Sequence, residues 1–305
     1  MKRCCRVSGV AVRLLVLLAL MACPATGMAG TVPLAGLSYS PSGIFTYADL
    51  ETQVDDARMR TDLTQLSAVT KDIRTYTVAR TIDHLPAIAA SLGMKVTMGV
   101  WLSSDKARTE AEIANAIAVV KADPKAIARV IVGNETVQRG EMDADGVAAA
   151  MATVRRGIAG TGIPVGTAEI WYIWLANPKL AAASDFIAVH IIPYWDGVTV
   201  DDAPAYVAKR YDEIAQRFPG KPIVIGETGW PSSGPVRQGA VPSPENEARF
   251  VNAFAALART RGYTYFVIEA YDQPWKTERG EDPCSWGIFD VRRTPKIELV
   301  QLNQR

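Results

Sequence analysis

Two glutamates stand at the ends of apolar, β-branched runs, and their setting suits acid/base chemistry. One run, ARVIVGNE, ends at Glu135; the other, PIVIGETGWP, carries Glu227 just past its apolar stretch. In each, a glycine comes one or two positions before the glutamate. Consecutive apolar residues suit a strand buried on both faces, and a carboxylate at such a strand's end suits a site at the strand's mouth. Two carboxylates on separate strands of one sheet are what acid/base cleavage of a glycosidic bond requires.

Positioning them is the work of the surrounding elements. Strand-like segments fall at 34–39, 73–78, 95–101, 128–133, 164–169, 186–192, 222–226 and 263–269. Helix-like segments lie between them at about 49–69, 81–92, 108–122, 143–160, 202–217 and 244–262, with a short helical turn near 174–183. In EARFVNAFAALART, Phe250, Phe254 and Leu257 recur at three- and four-residue spacing, as one buried helix face requires. Eight strands with intervening helices and no break in composition predict an α/β fold, a single (β/α)8 barrel over residues 30–305. No GxGxxG or P-loop pattern opens a strand–helix turn, which argues against nucleotide binding.

A barrel gathers its strand ends on one face. Tyr39, Tyr76, Trp101, Asn134, Glu135, Glu169, Tyr194, Glu227, Trp230, Glu269 and Asp272 then become neighbours. Aromatic faces stack on the apolar faces of sugar rings, and carboxylates and amides bind hydroxyl groups. Glu169 and Glu269 also end strand-like runs, so position alone does not exclude them from the chemistry. They are assigned to substrate binding, or to a charge network with Lys276.

At this point a resemblance becomes specific. IVGNE, IGETGWPS and EAYDQPWK, with IRTY at the second strand and WGIFD near the end, resemble glycoside hydrolase family 17. The likeness runs from GLSYSP at 36–41 to RTPK at 293–296. That family contains β-1,3-glucanases, β-1,3-1,4-glucanases and β-1,3-glucanosyltransferases. The resemblance implies a retaining mechanism, with the acid/base after the fourth strand (Glu135) and the nucleophile near the seventh (Glu227). It also implies that Asn134 binds the sugar 2-hydroxyl. From their places at or near the strand ends and the expected cleft, Tyr39, Tyr76, Glu169, His190, Tyr194, Trp230, Glu269 and Lys276 are expected to bind substrate. The chain departs from the pattern at His190, where many members have asparagine, at Ile192, where fungal forms often have histidine, and at Gln273, often acidic elsewhere. The implied substrate is a β-1,3-glucan, hydrolysed or transferred. The alternative is a non-catalytic glucan-binding protein or an accessory of glucan synthesis.

The N-terminus reads as an export signal over residues 1–29. Lys2, Arg3, Arg6 and Arg13 form a basic front, LLVLLALMA a short apolar run, and Gly27-Met28-Ala29 a cleavage site. The apolar run is shorter than the ~20 residues a membrane span needs. Leu20-Met21-Ala22-Cys23 resembles a lipobox and offers lipid anchoring through Cys23 as a second route. The expected location is therefore periplasmic or extracellular. Cleavage after Ala29 leaves 29 basic residues against 32 acidic ones, which gives no electrostatic case for nucleic acid or anionic membrane. Cys284 is then the remaining cysteine, so the fold rests on its core without an internal disulfide. His84 and His190 have no ligand-like spacing with a cysteine or a second histidine, and neither a metal nor a cofactor is expected. The expected assembly is a monomer.

Overall fold

A computed structural model describes Met1 and residues 34–299 of the chain. The expected export segment, with both of its cleavage positions, lies outside the described residues. Eight parallel strands close a barrel in sequence order: β1 (Leu37–Ser38), β2 (Asp72–Arg74), β3 (Lys95–Val100), β4 (Ile127–Asn134), β5 (Val165–Ile170), β6 (Ile187–His190), β7 (Ile223–Thr228) and β8 (Thr264–Val267). Closure comes from β1, which pairs with β2 on one side and with β8 on the other. The predicted (β/α)8 barrel is the observed fold. Among the described residues no helix is long and apolar enough to cross a membrane.

Alternation along the strands separates two layers of side chains. Ile131, Ala168, Ala188, Val224 and Phe266, one from each of β4 to β8, join Phe186 in a compact cluster that fills the barrel. Their strand neighbours Val130, Val132, Ile187, Val189, Ile225 and Val267 belong to the larger core between barrel and helices. Counting on from the inner cluster by two residues leads from Ala188 to His190 and from Val224 to Gly226. Inward-facing Arg74 and His190 therefore bring polar groups above that apolar cluster.

The helices begin where short polar side chains cap them. Asp105 caps α4 (Lys106–Ala122), Asp143 caps α5 (Ala144–Gly157), and Ser243 caps α9 (Pro244–Arg261), which has proline at its first position and left-handed Gly262 after its end. The helix expected at 49–69 is instead two. Thr46 and Asp49 form a capping box that starts α1 (Tyr47–Thr52), and Asp55 caps a new helix, α2 (Asp56–Leu66). The expected 81–92 helix opens with a 3-10 segment, Arg80–His84, before α3 (Leu85–Ser91). The turn near 174–183 is a pair of short helices, α6 (Trp171–Ala176) and α7 (Pro178–Ala183), divided at Asn177-Pro178. The last crossover helix before β7 is α8 (Ala203–Arg217).

Candidate active site

The C-terminal end of β4 is bent into an unusual path. Gly133 has φ +89°, and a Cβ there would lie 2.7 Å from Thr136 Oγ1, so the position needs glycine. Two residues later Glu135 itself adopts φ +51°, a conformation that non-glycine residues seldom hold without support. That support is visible. The Glu135 amide donates to Ala168 O at 2.7 Å, and the next turn is held by Glu169, whose carboxylate accepts from the amides of Val137 and Gln138 at 2.7 and 3.3 Å. Burial pushes the Glu169 carboxyl up to about 7 against the lowering pull of those two amides.

Across the barrel mouth, Glu227 at the end of β7 meets Arg74 from β2. Arg74 Nη1 donates to Glu227 Oε1 at 2.7 Å and to Gly226 O at 2.8 Å, and Nη2 donates to Asn134 Oδ1 at 2.5 Å. Burial raises the Glu227 carboxyl, but the Arg74 guanidinium hydrogen-bonded to it and the nearby Lys276 ammonium pull the other way, and the group lies below the ordinary carboxylate range. One oxygen of Glu135 and one of Glu227 lie within 4.8 Å of each other. Inverting pairs stand about 6.5–9.5 Å apart to admit a water, whereas retaining pairs stand about 5–5.5 Å apart. The close pair matches the retaining geometry. Glu135 is about a quarter exposed, while Glu227 is nearly closed off. One carboxyl thus faces the cleft, and the other is held as an anion within the wall.

Glu135, His190 and Glu227 are near enough to share a cation, but Arg74 already lies among them, with its Nη2 3.1 Å from His190 Nε2. The donor set is filled by a guanidinium, which does not suit a metal. Glu269, fully buried at the end of β8, is paired with Lys276 Nζ at 2.9 and 3.1 Å, and burial lifts its carboxyl to about 7 despite that ammonium. Tyr76 lies under the Arg74 guanidinium, 4.8 Å from ring centroid to Cζ, and its buried hydroxyl has no hydrogen-bond partner among the described residues.

Several of the residues expected to bind substrate are buried. Tyr39 is buried and donates to Asp62 Oδ2 at 2.9 Å, in a network with Ser42 and Arg293. Tyr194 is buried with its hydroxyl on Pro235 O, and Trp230 is buried against Phe250 with its indole N–H on Val241 O. Their polar atoms are committed to protein partners. His190 is likewise fully buried, with both ring nitrogens engaged by protein groups. Gln273 ties the loop after β8 to Ser40 O and Tyr271 O.

The exposed rings at the mouth are ones the sequence reading passed over. Trp195, 45% exposed, sits 5.7 Å from Trp286 with Arg237 over it, and Tyr172, 41% exposed, stands edge-on to Trp171 just after β5. The signal was available: each directly follows an aromatic residue just past a predicted strand, in EIWYIW and PYW.

Residues 36–287 match the family model described as the BtgE/BtgC glycoside hydrolase domain. A glucan 1,3-beta-glucosidase of Arthroderma benhamiae is 26% identical over 291 residues, covering 86% of this chain and 93% of that protein. The btgC protein of Aspergillus niger is 26% identical over 302 residues, but the match covers 42% of its length, so this chain spans less than half of that relative. Among solved structures, an active-site mutant of Rhizomucor miehei beta-1,3-glucanosyltransferase in complex with laminaritriose superposes with a TM-score of 0.78 at 26% identity, covering 87% of this chain and 97% of that one. An endo-laminarinase from Formosa shares the fold, with a TM-score of 0.75 at 20% identity.

Proposed function

The chain belongs to the BtgE/BtgC glycoside hydrolase domain family, and from that premise we propose that it cleaves or transfers β-1,3-linked glucosyl units with retention of anomeric configuration. The observation that carries this reading is the close approach of Glu135 and Glu227, one partly exposed and the other held ionised beside Arg74. In the first step Glu135 gives its proton to the glycosidic oxygen as the C1–O bond breaks. Glu227 forms the covalent bond to C1. In the second step water or a sugar hydroxyl attacks C1, its proton passes to Glu135, and Glu227 leaves as the carboxylate. Water gives hydrolysis and a sugar hydroxyl gives transfer.

The ligand set follows from what still faces the mouth. Tyr76, with its unpartnered hydroxyl beside Arg74, and Asn134 remain candidates for sugar hydroxyls. Glu269 and Lys276 form a buried pair behind the nucleophile. The domain assignment, residues 1–29 as export signal and 30–305 as catalytic domain acting as a monomer outside the cytoplasm, is part of the same proposal. Incubation with laminari-oligosaccharides of defined length tests it. Shorter products mean hydrolysis and longer ones transfer, whereas unchanged substrate would favour the binding-only alternative and contradict the proposal.

A further inference from the structure

His190 lies between the two glutamates without reaching the cleft. Its Nδ1 is 2.6 Å from Glu135 Oε1, and its Nε2 is 3.1 Å from Arg74 Nη2 and 3.6 Å from Glu227 Oε1. The ring rests over Gly226, where an added Cβ would lie 3.0–3.1 Å from its Cδ2 and Nε2. The absence of a side chain there makes room for the imidazole.

Arginine has only donors. A proton on His190 Nε2 would face the Arg74 N–H head-on, so Nε2 must offer its lone pair and the ring proton must sit on Nδ1. That proton points at Glu135 Oε1. Arg74 is itself anchored on Glu227, Gly226 O and Asn134, so it has no freedom to turn away. The remaining charged groups nearby, Glu169, Glu269 and Lys276, are each held by their own partners.

We infer that His190 is a positioning residue for the acid/base: locked by Arg74 as the Nδ1–H tautomer, it pins Glu135 Oε1 and leaves Oε2 to give and take the proton. This inference rests on the retaining-glycosidase reading for its chemical meaning. In the first step the Oε2 proton goes to the leaving oxygen, and the carboxylate formed keeps the Nδ1–H bond. In the second step Oε2 recovers a proton from the incoming hydroxyl. A neutral donor thus stabilises the charge that develops on Glu135 without competing for the transferable proton.

The chain has two histidines, His84 and His190, so nitrogen-15 imidazole spectra of the purified protein contain two ring systems, and His84→Gln identifies them. The expected result is a His190 ring protonated at Nδ1 and bare at Nε2 in the folded protein at pH 7.5. An Nε2–H tautomer or an imidazolium would overturn the inference. Kinetics give a second arm. His190→Ala should lower kcat/KM on laminari-oligosaccharide about 10–100-fold, the range for loss of one hydrogen bond to a charged group. On 2,4-dinitrophenyl laminaribioside, whose leaving group needs no acid, it should fall less than about 3-fold. His190→Asn places an amide N–H where Nδ1–H was and should restore most of the loss; His190→Gln should not. Equal losses on both substrates, or an Asn variant as impaired as Ala, would overturn the inference. A wild-type protein inert on both substrates would instead refute the glycosidase reading, and the tautomer would still decide the pinning.

Discussion

Arg74 is the side chain on which the ionisation of Glu227 depends. It is buried, and its two terminal nitrogens serve Glu227, Gly226 O, Asn134 and His190. Lysine is a point charge on a flexible stem and cannot reproduce that fork. In Arg74→Lys, burial of Glu227 is less fully opposed, so its carboxyl should titrate higher. Because the nucleophile works as the anion, the acidic limb of kcat/KM should move to higher pH, with a fall of about 100-fold at pH 5. A pH profile between 3.5 and 7 checks this, and an unmoved acidic limb would remove Arg74 from the role. The glutamates were legible in the sequence because each ends a buried run. Arg74 was not singled out, since IRTY reads as one continuous strand, although alternation from Ile73 does turn Arg74 inward. The burial of Tyr39, Tyr194 and Trp230 was not legible, because the partners of their polar atoms, Asp62, Pro235 O and Val241 O, lie 11–41 residues away along the chain.

At the level of elements, strand order was readable, and interruptions of the helices were not. The break at Gln53–Asp55 depends on Asp55 capping a second helix, a choice that apolar periodicity does not reveal. The same scale holds a buried carboxylate with no catalytic part. Glu247, on α9, is 1% exposed, and neither oxygen receives a hydrogen bond among the described residues; Lys296 is 3.5 Å away and already bonded to Asp272 at 2.7 Å. Burial pushes its carboxyl up to about 8 despite the opposing Lys296 charge. The folded chain therefore binds this proton more tightly than the unfolded chain, whose carboxyl titrates near its ordinary value of 4.5. Stability from this group is full below that value and is lost as pH rises towards 8, by up to about 5 kcal/mol. Thermal unfolding should show Tm falling between pH 5 and 8.5 in the wild type and a flatter profile in Glu247→Gln. Parallel profiles would contradict the assignment. Glu169 acts at the same scale, on the turn after β4. Glu169→Ala frees the amides of Val137 and Gln138 and should lower kcat about 10-fold with little change in KM, because the turn positions the acid rather than the sugar. A change confined to KM would argue instead that Glu169 binds substrate directly.

For the molecule as a whole, eight parallel strands in sequence order leave one arrangement, and the barrel was predictable for that reason. The rim was less so, because which ring faces solvent is set by loops that close over the barrel from several strands. Trp195 and Tyr172 now mark that rim. Trp195→Ala should shift the partition between transfer and hydrolysis towards hydrolysis, since an exposed ring can hold an acceptor sugar, while leaving the release of an activated aryl group within about 2-fold. Product ratios at fixed acceptor concentration measure it, and an unchanged ratio would remove Trp195 from acceptor binding. The central claim, that Glu227 attacks and Glu135 shuttles the proton, is tested most directly by azide rescue of the two alanine variants on an activated laminarioside. Glu135→Ala should still form the glycosyl-enzyme, and azide should release a glycosyl azide of retained configuration. Glu227→Ala should give the inverted azide, formed from the nucleophile's vacated side. The same two signatures in reverse would contradict the assignment of roles, and near wild-type turnover of unactivated laminari-oligosaccharide by either variant would remove that glutamate from the mechanism.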